Sequence, residues 1–90
     1  MPDTAIASLA NLGPKSAATL AAVGITTLDE LRALGAVAAY AKARRAGQRV
    51  SLNLLWALEG ALTGVDWREV AREHRTRLLM ALEDHEQRRA

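Results

Sequence analysis

Residues 52–62, reading LNLLWALEGAL, form a run in which Asn53 and Glu59 are the only side chains that are polar beyond doubt. A helix that is apolar nearly all round has to be enclosed by other elements, so this stretch predicts a central, buried helix with the rest of the chain wrapped about it. Ser51 is its natural N-cap, and Leu54, Leu55, Leu58 and Leu62 are expected near the middle of the core. Gly60 inside such a helix costs about 1 kcal/mol against alanine, which predicts a neighbouring helix crossing too close for a side chain. Glu59 must then reach the surface or pair with a basic residue such as Arg49 or one on the last helix, because an unpaired buried carboxylate is costly.

What encloses that helix is constrained by the side chains available. Phenylalanine is absent and only three aromatic residues occur among 90, so alanine and leucine have to build the core. This favours closely packed helices over a sheet, which calls for more β-branched and aromatic residues. No alternating strand pattern of useful length occurs. The expectation is an all-α single domain spanning residues 1–90, with five or six helices.

Local signals divide the chain. Thr4 to Ala10 reads as a short first helix capped by Asp3 or Thr4, and Pro14 to Val23 as a second one ended by Gly24. Thr27-Leu28-Asp29-Glu30 is a capping box that opens a third helix with Leu28, Leu31 and Leu34 as its apolar stripe, closed by Gly35. An alanine-rich helix from Ala36 to about Ala46 follows, burying Val37, Tyr40 and Ala41, and Gly47 closes it. Asp66-Trp67-Arg68-Glu69 opens a long final helix reaching about Gln87. Trp67, Val70, Ala71, His74, Leu78, Ala81, Leu82 and His85 share one face of it, while Leu79 and Met80 fall on the opposite, charged side. That pair is consistent either with ordinary exposure or with contact to another chain.

Several function classes are disfavoured. The chain has no cysteine, which removes disulfides, thiolate chemistry and cysteine-rich zinc sites. His74 and His85 lie three turns apart on one expected helix, about 16 Å, too far to share a metal. No cofactor, metal site or catalytic constellation is expected, and the reading is of a non-enzyme. Neither a secretory leader nor a segment approaching the ~18 apolar residues of a membrane span is present, so a cytoplasmic protein with no membrane partner is the default.

The segment Leu9-Ala10-Asn11-Leu12-Gly13-Pro14-Lys15-Ser16 carries the positive indication of function. It has the form of a helix-hairpin-helix turn, with Gly13 able to take φ > 0 where the chain reverses and Pro14 presetting the first helical turn. Asn11 stands where a glycine is usual and is the non-glycine residue that best tolerates a left-handed backbone. The free N–H groups at Lys15 and Ser16 suit an anion; an αα-corner with no ligand fits the same residues. The net charge is only +2, and its surplus comes from the middle of the chain, where Lys42, Arg44, Arg45 and Arg49 form an acid-free stretch. Those cations suit phosphate, or equally a solvated helix end. Gly13, Lys15, Ser16, Lys42, Arg44, Arg45 and Arg49 are therefore the candidate DNA-backbone contacts, weak and without sequence readout. Leu79 and Met80 are the candidate contacts of the competing reading, a protein-interaction module that meets a transcription regulator or a second copy of itself as a homodimer.

Two strings together, LANLGPKSAATLAAVGITTLDELRALGAV and RVSLNLLWALEGALTGVDW, resemble the C-terminal domain of TfoX/Sxy-type proteins, the regulators of natural competence for DNA uptake. The resemblance covers residues 6–67 or so, and the second string is the more specific. It implies a compact helical domain that in longer relatives follows an α/β domain, and a role in transcription regulation beside a cyclic-AMP receptor protein. Only Leu12, Gly13, Pro14, Lys15 and Ser16, and the string from Ser51 to Gly64, match position by position. No ligand residues carry over from the family.

Overall fold

The computed structural model describes residues 5, 6, 9 and 11–88. Among them are six helices: α1 (Pro14–Ala21), α2 (Leu28–Leu34), α3 (Ala36–Arg45), α4 (Leu52–Thr63), α5 (Trp67–Glu73) and α6 (Arg75–Arg88). No strand occurs among the described residues beyond an isolated antiparallel bridge between Ala5 and Thr27. The fold is an all-α single domain, as the alanine- and leucine-rich composition implies. The expected helix Thr4 to Ala10 falls largely outside the described residues. Of those within it, Ile6 is buried and its N–H donates to the Thr26 carbonyl at 3.1 Å.

Local chemistry sets most helix ends. Thr27 Oγ1 accepts from the Glu30 N–H at 3.2 Å, and Glu30 Oε1 accepts from the Thr27 N–H at 3.1 Å, completing the capping box. The same carboxylate oxygen also takes the Thr26 N–H and hydroxyl, each at 2.9 Å. The Thr26 N–H first, then the Thr26 hydroxyl and the Thr27 groups, hold the Glu30 carboxyl below its ordinary value. Gly35 links α2 to α3 with φ 83° and ψ 163°, a conformation essentially confined to glycine. It ends one helix and begins the next with no spacer, which is why the third and fourth expected helices are separate elements at a sharp corner.

Leu55 and Leu58 are fully enclosed, and Leu54, Trp56, Ala57 and Gly60 are buried with them. Leu62, expected beside them, is only half-buried, packed against that cluster and not within it. Ser51 occupies the N-cap position of α4 but makes no side-chain cap bond. The centre is also shared. α4 packs against α2, α3 and α5, whereas α3 packs against α1, α2, α4 and α6. Ala36, Ala39, Ala41 and Ala43 are buried on α3, and side chains this small let four helices approach one axis.

The long final helix is interrupted. α5 ends at Glu73, His74 takes φ −115° and ψ 4°, and α6 begins at Arg75. α5 packs on α4 while α6 packs on α3, and a one-residue break re-aims the chain between those two supports. Val70, Leu78 and Leu82 are buried as expected, but Ala81 is exposed. Leu79, placed by a continuous helical wheel on the charged side, is instead half-buried against the core. Glu59 on α4 meets Arg77 of α6 at 2.8 Å with only 15% of its side chain exposed, so the last helix supplies its partner and Arg49 does not.

Candidate functional site

The chain reverses before α1 through Asn11, not Gly13. Asn11 has φ 75°, the left-handed conformation its short amide side chain tolerates. Gly13 is the extended N-cap of α1 with φ −102°, so its expected positive φ is not found: the reversal is complete two residues earlier. Pro14 opens the helix as predicted. The Lys15 and Ser16 N–H groups precede the first intrahelical bond, which runs from the Ala17 N–H to the Gly13 carbonyl.

The Asn11 side chain does what its backbone reading did not suggest. Its Nδ2 donates to the Val65 carbonyl and its Oδ1 accepts from the Trp67 N–H, both at 3.1 Å. It thereby ties the hairpin to the α4–α5 connection across more than fifty residues of sequence. The close neighbour predicted at Gly60 is this arrangement and not a crossing helix. A Cβ there would lie 2.6 Å from the Val65 carbonyl oxygen and 2.8 Å from Asn11 Nδ2.

Beside this latch lies an open cleft of about 460 Å³. Lys15 and Ser16 reach it from the first turn of α1, Arg49 from the loop before α4, Asn53 from α4, and Trp67 from the start of α5. Lys15, Arg49 and Asn53 are exposed, whereas Leu54 and Ala57, which also line it, are buried. Neither Lys15 nor Arg49 has an ion-pair partner among the described residues, so the cleft carries uncompensated positive charge. Neither Asn53 nor Trp67 is among the candidate contact residues that the sequence points to. An exposed asparagine on an apolar helix was a signal available for the first; nothing local marked the second.

The basic stretch is divided by the fold. Lys42, Arg44 and Arg45 occupy the last turn of α3, where they complement the helix dipole. Arg44 turns towards α6, 3.3 Å from Glu86 and 5.4 Å from the Tyr40 ring centroid, because α3 presents that face to α6. Only Arg49 of the four lines the cleft with Lys15 and Ser16. Met80 is 67% exposed, while Leu79 beside it is committed to the core. No group of acidic or histidine side chains that could hold a metal occurs among the described residues, and no described helix is long and apolar enough to cross a membrane.

The described residues thus form a small all-α domain with a latched hairpin and a basic cleft at a helix start. The chain is a member of the TfoX C-terminal domain family, whose profile matches residues 2–82. That is a regulatory type of domain. Comparison with curated proteins and with solved structures gave no match.

Proposed function

We propose that this domain acts in gene regulation without catalysing a reaction, by contacting the DNA phosphate backbone weakly and without sequence readout at the start of α1. The observation that carries this reading is the convergence of Lys15, Ser16 and Arg49 on one cleft with no acidic partner for either cation. Free N–H groups and two unpaired cations are the usual equipment for a phosphate oxygen. Lys42 and Arg45, exposed and unpaired among the described residues at the end of α3, add long-range attraction. Arg44, engaged with Glu86, contributes least.

Fluorescence anisotropy with a labelled duplex tests the reading. Binding should be measurable at low salt and weaken with a log–log slope of about −2 to −3, as two or three phosphate contacts require. Lys15→Glu and Arg49→Glu should each abolish it at unchanged melting temperature, and Arg44→Glu should reduce it less. Absence of binding by the parent chain at low salt would refute direct phosphate contact. The competing reading is a protein-interaction or self-association module, favoured by the exposure of Met80. It predicts that Met80→Asp disrupts self-association or partner capture while duplex binding persists.

A further inference from the structure

The cleft beside α1 offers more than a phosphate contact uses. A backbone phosphate needs only Lys15, Arg49 and the first N–H groups of α1, all at the exposed side. The same cavity is also lined by the buried Leu54 and Ala57 and by the half-buried Val50 and Trp67, which a sugar–phosphate backbone would leave empty. Its volume, about 460 Å³, falls within the range of roughly 300–1,000 Å³ typical of small-molecule sites.

The polar groups in the cleft are of two kinds. Asn11 is spent, since both ends of its amide bond the α4–α5 connection. Asn53 and Ser16 have no side-chain partner among the described residues. The Asn53 amide can therefore offer a donor and an acceptor side by side to the edge of a planar ring. The Trp67 backbone is fixed at the start of α5, and its half-buried ring lines the cleft. Its backbone N–H donates to Asn11 Oδ1 at 3.1 Å, and the Arg68 guanidinium sits 4.9 Å from its ring centroid. A half-buried indole beside aliphatic side chains suits a flat, largely apolar group with hydrogen-bonding edges. Cations and a hydroxyl beside them suit a phosphate attached to it.

We propose that this cleft binds a nucleoside monophosphate, with the phosphate at Lys15, Ser16 and Arg49 and the base against Leu54, Ala57 and Trp67, its edge met by Asn53. The chemistry is shared by a free mononucleotide and by an unpaired terminal nucleotide of a DNA strand. The inference rests on the reading of Lys15 and Arg49 as phosphate contacts, and adds recognition of the base.

The test is an NMR titration of the isotope-labelled full chain, in which the Trp67 indole N–H reports on the cleft and that of Trp56, 2% exposed in the core, serves as an internal control. Deoxyadenosine 5′-monophosphate should shift the Trp67 indole and the Lys15, Ser16 and Asn53 amides saturably, leaving Trp56 in place. Deoxyadenosine and inorganic phosphate should each bind about tenfold more weakly or worse, because each lacks one half of the recognition. Arg49→Gln should weaken the nucleotide by about tenfold with an unchanged melting temperature.

Two duplex arms separate the sources and the two readings. Tighter binding of a duplex with a 5′-phosphorylated single-nucleotide overhang than of its blunt counterpart would assign the site to strand ends, and equal binding would assign it to the free nucleotide. If the nucleotide binds no better than phosphate while the blunt duplex still shifts the α1 amides, the base site is wrong and the backbone reading survives. If the nucleotide binds and no duplex does, the base site stands and the backbone reading falls. Silence towards every probe overturns both.

Discussion

Gly60→Ala is the substitution whose sign depends most directly on the tertiary structure. In an exposed helix it would stabilise by about 1 kcal/mol through helix propensity. Here the added Cβ would lie 2.6 Å from the Val65 carbonyl oxygen, 2.8 Å from Asn11 Nδ2 and 3.2 Å from Asn11 Cγ. The first of these is backbone at the end of the same helix and cannot swing aside. The second is fixed by the two hydrogen bonds that join the hairpin to Val65 and Trp67. Moving the amide forfeits bonds worth about 0.5–1.5 kcal/mol each, and forcing a methyl into a filled site typically costs about 1–3 kcal/mol. Set against the propensity gain, the net is a destabilisation of about 1–5 kcal/mol. For a domain of this size each 1 kcal/mol lowers the melting temperature by about 4–8 °C. A thermal melt followed by circular dichroism should therefore fall by at least about 4 °C. The double mutant with Asn11→Gly, which keeps the positive φ at position 11 but removes the amide, should show a smaller cost for Gly60→Ala than the parent does. A melting temperature raised by Gly60→Ala would refute the latch and leave propensity alone in control.

Leu58→Ala, at a fully enclosed position on α4, should cost about 2–5 kcal/mol in urea unfolding, and a melt within a degree or two of the parent would overturn the assignment of α4 to the core. Arg77→Ala leaves Glu59 with 15% of its side chain exposed and no partner. We expect a loss of about 1–2 kcal/mol, discounted from a fully buried pair because Arg77 is itself largely exposed; Arg32→Ala, at the exposed pair with Asp29, should lose less in the same assay. Glu30 is held below its ordinary value of 4.5 by the Thr26 and Thr27 groups. A lowered folded-state value means that its contribution is complete above the unfolded value and disappears as the pH falls through the folded one. The stability difference between the parent and Glu30→Gln should accordingly be flat near neutrality and shrink as the pH drops below 4.5; a difference independent of pH down to full protonation would exclude the carboxylate as its source.

Features encoded within a few residues of each other were legible in the sequence. The Thr27–Glu30 box, Pro14 at the start of α1, the corner at Gly35 and the burial of residues 54–58 all follow from local hydrogen bonding, backbone sterics or an apolar run with no polar face. The all-α class follows in the same way from the residues available to fill the core. What tertiary structure decided are the pairings between distant segments. His74 interrupts the last helix because α5 and α6 are held by different partners, and no residue there breaks helices by its own propensity. Asn11 was readable as a left-handed residue, yet its role as the clamp over Gly60 depends on Val65 and Trp67 arriving from the far side of α4. The basic stretch is one block in the sequence and two surfaces in the fold, because α3 turns Arg44 towards Glu86 while the loop beyond carries Arg49 to Lys15. A linear pattern specifies which groups are charged; only packing decides which of them face the same space.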